Sequence, residues 1–426
     1  MQIMCQATKL TDMKKRSQYN LPYFLAGTCL LIFLSACKKE NTKTYTLRTP
    51  VFKAKTEVLA QINGNPAEAI EATGKIYIKD NYIFLNEVDK GIHIIDNSNA
   101  ANPVQIAFLN IPGNQDMAVK GNILYADMYS DLLAMDISNP KKINITSRIS
   151  GFFKDRMYVS GMNGDTSQII ASWIEKDTTV PIDNYPVYRD CWNCGIYLAN
   201  AAAVQNTKGT AGSMARMILV NDYLYAITEP HSVGIVNTST AEAPSYVSEL
   251  YAGFDLQTIY PFANKLFLGS ASGMYMYDIS DPANPAKLGE FSHGRACDPV
   301  IADGRYAFVT LHSGTSCGGE ANELNVLDIN NIMNPVLVKV YSMTKPTGLS
   351  KDGDLLFVCD GPAGVKIFDV RNVNDMKVIN SIKSDEPYDV ITGNNRALVV
   401  AKDGLYQYDY SSISKVKLLS FFPTKK

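Results

Sequence analysis

The stretch that decides the fold is "MYMYDISDPANP", residues 274–285. Four apolar or aromatic residues lead to Asp278, and a turn carrying Pro282 and Pro285 follows. This reads as a strand that stops at an acid. An Asp there bonds backbone N–H groups of the turn that follows it. A Pro beyond it has no N–H for a central ladder, so it confines pairing at the strand's end.

The chain repeats the phrase. "GIHIIDNSNAANP" has its strand end at Asp96, "LLAMDISNP" at Asp136 and "GIVNTSTAEAP" at Asn237. "LNVLDINNIMNP" ends at Asp328, "VKIFDV" at Asp369 and "LYQYDY" at Asp409. With Asp278 included, successive spacings are 40, 101, 41, 50, 41 and 40. A strand-rich period of this length predicts a propeller. Residues 382–421 give one unit: "PYDVIT", "RALVVA", "LYQYDY" and "KVKLLSFF", separated by Gly, Asn, Asp and Ser. A lone four-stranded unit cannot bury both faces, so units pack on one another around an axis. The expectation is an all-β, seven-bladed β-propeller of four-stranded antiparallel blades, occupying 51–426. The long spacing places an insertion, about 151–212, between blades two and three. "EVLAQI" (57–62) resembles an outer strand as much as "KVKLLSFF" does. One is expected to complete a blade and the other to cover an edge.

These phrases resemble the LVIVD repeat of bacterial β-propeller proteins, over most of residues 75–421. Asn237 and the missing Asn-Pro after Asp409 depart from its pattern. The resemblance implies a propeller, often in an envelope lipoprotein, and carries no reaction.

The N-terminus reads as a targeting segment. A basic run, "MKKRSQ" (13–18), precedes the apolar "LPYFLAGTCLLIFL" (21–34), too short for a comfortable span. "LSAC" (34–37) then resembles the lipobox of bacterial lipoproteins. The resemblance implies a signal peptide over 1–36 and acyl chains such as palmitate on Cys37. The expected partner is therefore a membrane, and the expected address is the bacterial cell envelope, at the outer membrane. "KKENTKTYTLRTP" (38–50) reads as a flexible polar tether. Cleavage would leave 36 basic against 41 acidic residues. Nothing in this balance suggests a nucleic-acid partner.

Antiparallel order sorts the loops. Second-to-third loops and blade-to-blade connections share one face, here the top; the "DISNP" turns lie on the bottom. The insertion is on top and holds Trp173, Trp192, Tyr185, Tyr188 and Tyr197. These either form its own small core or offer an aromatic platform to a glycan or protein ligand. "CWNC" reads as a Cys191–Cys194 disulfide, with redox or metal roles as alternatives. In 293–319, Cys297 and Cys317 read as a disulfide beside ordinary His293 and His312, with zinc or a Cys–His pair as alternatives. First-strand opening positions hold Lys75, Asp116, Arg216, Thr258, Asp298, Thr347 and Asp389. They are expected to ring the channel mouth, satisfying one another or holding a polar ligand.

The resulting reading is a lipid-anchored, non-enzymatic binding module without a cofactor. Its ligand-contact candidates are Trp173, Trp192, Tyr188, Asp116, Arg216 and Asp389. One alternative is a hydrolase or lyase with His293, Asp298 and His312 in a top funnel. The other is a purely structural envelope component.

Overall fold

The computed structural model describes residues 42–156, 167–181, 197–199, 212–292, 299–313 and 320–425. The chain divides into two compact units. The described part of the smaller is 42–45 with 177–181, where the Thr44 and Thr179 hydroxyls lie 2.8 Å apart. The larger, 46–176 with 195–426, contains every blade. Among the described residues, no helix is long and apolar enough to cross a membrane.

Seven four-stranded antiparallel sheets follow one another, each built from consecutive strands. They span 76–110, 117–149, 217–251, 256–292, 300–342, 349–382 and 387–423. Blade three is complete despite Asn237, and blade seven despite its missing Asn-Pro. The predicted seven-bladed propeller is the fold. Second and third strands are buried along most of their length, because they face neighbouring blades on both sides. Outer strands alternate or lie exposed, as Lys417–Pro423 does.

The repeated phrase does the same job in each blade. The side-chain oxygen at its end accepts the N–H two residues on, at 2.7–3.1 Å, from Asp96 to Asp409. Asn237 Oδ1 does so at 2.8 Å, since an amide carbonyl accepts as a carboxylate does. Just before that residue, every third strand slips register against its outer strand by a bulge. A bulge adds local right-handed twist.

Closure differs from expectation. "EVLAQI" is not a strand: it lies in the helix Lys55–Gln61 and the turn after it. Glu57, Leu59, Ala60 and Gln61 are good helix formers, and Val58 and Ile62, four apart, are buried in the core of blades one and two. Blade seven therefore uses its own fourth strand, and among the described residues no strand is shared across the ring's ends. Blades one and seven meet through side chains instead: Ile76, Ile83, Leu85 and Ile95 pack on Leu398, Val400 and Leu405. Thr73 Oγ1 donates to Ala401 O at 2.8 Å, and Lys425 N donates to Ile70 O at 2.6 Å.

Residues 42–50, expected as a tether, open the strand Thr42–Ala54. It lies between the insertion strands Gln168–Pro181 and Tyr197–Ala199. Its Thr, Tyr, Val and Phe residues favour an extended chain, and on one side Thr46–Arg48 pair with Tyr197–Ala199.

Candidate functional site

The insertion ends inside the channel. Its last turn, Gly212–Met214, lies against the first strands of blades four to seven. Ser213 is fully buried, and its Oγ accepts Leu349 N at 2.9 Å. Ala215 O accepts Ile259 N at 2.7 Å. The expected open mouth is thus filled by the chain's own backbone, which leads straight into Arg216.

Around that plug the top of blades one to three gathers a charged cluster. Lys75 and Asp116, 2% and 6% exposed, form an ion pair. Burial pushes the Lys75 ammonium down and the Asp116 carboxyl up, while their mutual attraction opposes both shifts. Asp116 Oδ2 also accepts Arg216 N at 2.7 Å, and its Oδ1 accepts Met117 N at 2.7 Å. Asp127 Oδ1 accepts Gln115 N, Asp116 N and Asn114 Nδ2 at 2.8–2.9 Å. Its Oδ2 pairs with Arg156, whose other arm donates to Gly113 O. Gly113 takes φ +73°, with the Tyr129 ring where a Cβ would point, so a glycine is required there. Burial raises the Asp89 and Asp155 carboxyls and lowers the Arg216 guanidinium. A pocket with floor space for about one water is lined by Gln115, Asp116, Asp127, Phe153, Arg156 and Arg216.

A second top-face feature had no repeat to announce it. Tyr251 and Phe254 are 60% and 63% exposed, with ring centroids 5.9 Å apart, edge to face. His231 stacks on Tyr251 at 5.4 Å. Each stands at a strand end or connection of blade three. The sequence signal was the pair of aromatics bracketing Gly253 in "YAGF" (251–254).

Of the predicted ligand contacts, Asp116 and Arg216 come together with Lys75. Asp389 is fully buried in the first strand of blade seven, and Thr258 and Thr347 are buried at their own first strands. Trp173 is partly buried against the core of blades one and two. His312 is buried directly after the second strand of blade five. Cys37, Tyr185, Tyr188, Trp192, Cys191, Cys194, His293, Cys297, Asp298 and Cys317 lie outside the described residues. Among the described residues the free cysteine is Cys359, buried on its strand.

The architecture defines the chain as a seven-bladed β-propeller. It carries LVIVD repeats, matched at residues 72–108 and 113–149. No curated protein matches the chain. Solved structures similar to it include a functionally unknown protein from Desulfotomaculum acetoxidans, 12% identical, covering 80% of this chain and 95% of that one, TM-score 0.51. Another is Saccharomyces cerevisiae Sqt1, 10% identical, covering 85% and 88%, TM-score 0.50. A third is the computationally designed Ika8 protein, 10% identical, covering 84% and 90%, TM-score 0.50. At such identities the likeness concerns the fold alone.

Proposed function

We propose that the protein is a non-enzymatic binding module of the bacterial cell envelope, held to the outer membrane by acyl chains on Cys37. Its top face contacts a glycan or protein partner. The observation that carries this reading is the exposed group of Tyr251, Phe254 and His231, presented on a closed ring of blades. Large rings held at the surface offer contact area at little conformational cost. The "LSAC" resemblance supports the anchor.

Two measurements test the reading. Cys37→Ala should move the protein out of the membrane fraction or leave it unprocessed; a variant processed and membrane-bound like the parent would refute the anchor. Tyr251→Ala with Phe254→Ala should weaken retention on immobilised envelope polysaccharide or crosslinking to an envelope protein. For two rings at roughly 0.5–1.5 kcal/mol each, the loss is on the order of tenfold or more. Unchanged retention and crosslinking with an intact fold would exclude this face as the contact.

A further inference from the structure

We infer that the bottom face carries a pocket for one neutral sugar ring, in the groove between blades three and four. The site stands apart from the top-face contact, since the two lie at opposite ends of the blades.

The groove holds a cavity of about 270 Å³, just below the roughly 300 Å³ at which small-molecule sites begin. One wall is the blade-three hairpin Val220–Tyr223; the other is Asn264 of blade four and the turn that carries Ile279 and Pro282. At other junctions the same place is bridged. Between blades two and three, Lys120 takes the position that Val220 takes one junction on. Its ammonium donates to Asp222 Oδ1 and to Thr238 O, each at 2.6 Å. Between blades six and seven, the Tyr410 hydroxyl donates to Asp352 at 2.5 Å. Junctions two–three and three–four share their other tie: Tyr125 donates to Ala241 O, and Tyr225 to Pro282 O, both at 2.8 Å. Val220 is short and has no donor, so this groove is left open.

The walls set the ligand's chemistry. Val220, Ile279, Pro282 and the Tyr223 ring offer apolar surface. Asn221 and Asn264 are exposed in tight turns, at φ +54° and +56°. Their side-chain amides, each both donor and acceptor, bond no described residue. A wholly apolar ligand would strip water from these amides without replacing its hydrogen bonds. A cation finds Asp222 already paired with Lys120. An anion meets Asp222, and also Asp278, which accepts the N–H of the pocket residue Ser280 at 2.7 Å. A pyranose answers both walls, with C–H faces for the apolar side and hydroxyls for the amides.

Saturation-transfer NMR on the full-length chain in a sugar-free detergent tests this, because it reads weak binding. The probes are the methyl glycosides of glucose, galactose and mannose, and N-acetylglucosamine. The uronate and amine of each ring, and open-chain sorbitol, are the comparisons. At least one neutral ring should bind saturably, its charged forms more weakly, and sorbitol not at all. Val220→Lys copies the side chain of blade two, so it should fold like the parent and lose saturable binding. Asn264→Gly keeps the turn and removes one amide; it should weaken binding about fivefold, as the loss of one hydrogen bond does. Tyr251→Ala with Phe254→Ala should bind the sugar like the parent. Absence of saturable binding by every neutral ring, parent-like binding by a folded Val220→Lys or by Asn264→Gly, or loss of binding in the Tyr251 and Phe254 double variant would each overturn the inference. A disaccharide ending in the preferred ring separates the sources. Binding equal to the single ring assigns the pocket to the terminal residue of a glycan, weaker binding assigns it to a free sugar, and either supports the site. Val220→Lys should leave retention through the top face unchanged, so failure of this pocket is distinct from failure of the binding-module reading.

Discussion

At the scale of single residues, the acid that ends each third strand explains the repeated phrase: it stops one strand and shapes the turn to the next. Hydrogen bonds from Ser280 hold the Asp278 carboxyl below the usual carboxylate range, and those from Ser411 do so for Asp409. Arg371 and its backbone N–H bring Asp369 down to about 2. A carboxyl lowered in the folded state stabilises that state above its unfolded pKa, near 4. The contribution disappears as pH falls through the folded value. Stability should therefore drop from about pH 4 toward pH 2 on account of these turns. Asp89 and Asp155, whose carboxyls desolvation raises, act with the opposite sign, so the comparison must be made by variant. Asp278→Asn should fold normally, as Asn237 already does in blade three, and should lower the slope of melting temperature against pH in that window. An unchanged slope would remove the carboxyl's charge from the explanation. Asp278→Ala, lacking any acceptor, should melt lower than Asp278→Asn at neutral pH.

At the scale of elements, what was legible was local. A strand of alternating residues, an acid and a proline fall within a dozen positions, so period and blade count follow from composition at short range. The helix Lys55–Gln61 was legible too, in Glu57, Leu59 and Ala60 and in the four-residue spacing of Val58 and Ile62. Its apolar run was short enough to pass for an edge strand. The arm Thr42–Ala54 and the plug Gly212–Met214 were not legible, because their partners are distant in the chain. The arm pairs Thr46, Leu47 and Arg48 with Ala199, Leu198 and Tyr197. No local pattern specifies that register. Lys75, Asp116 and Arg216 do stand directly before their first strands, as the aligned repeats place them, but the ion pair that buries Lys75 against Asp116 joins two blades and has no local signal. One joint ties arm, helix and insertion together. Asp131, 1% exposed, pairs with Lys55 at 3.0 Å and accepts Gly151 N at 3.1 Å. Asp131→Ala strands a largely buried ammonium and should cost about 3 kcal/mol. Proteolysis should then cut first in the insertion or the arm. Equal stability and an unchanged cleavage pattern would show that the joint is ornamental.

At the scale of the whole molecule, the ring closes by side-chain packing where the ends meet, with no strand among the described residues crossing the junction. Asn97 and Gln407 exchange amide hydrogen bonds at 2.7 and 3.0 Å across it. Apolar burial between blades one and seven joins them, beside the hydrogen bonds of Thr73 to Ala401 and of Lys425 to Ile70. Each blade leans on both neighbours, so damage at the junction should be felt all round the ring. Leu405→Ala, at a fully buried junction position, should cost about 3 kcal/mol. Denaturant unfolding followed by circular dichroism and by amide hydrogen exchange resolved to each blade should shift together, as one transition. Separate transitions would mean that blades one and seven open without the others. Deleting the outer strand Lys417–Pro423 should act in the same way and more strongly, because it exposes an apolar edge at about 25 cal/mol per Å².

The arm has a mechanical meaning as well. Antiparallel hydrogen bonds lie perpendicular to their strands. A pull along the chain from the N-terminal side of Thr46 therefore loads its bonds to both neighbouring strands in shear, so that they resist as a group. A pull across the strand would instead open them one at a time, like a zipper. Beyond the arm the chain enters the helix Lys55–Gln61, where Lys55 is paired with Asp131 of blade two. The fold thus contains a tension-bearing strap, clamped by the same insertion that plugs the channel.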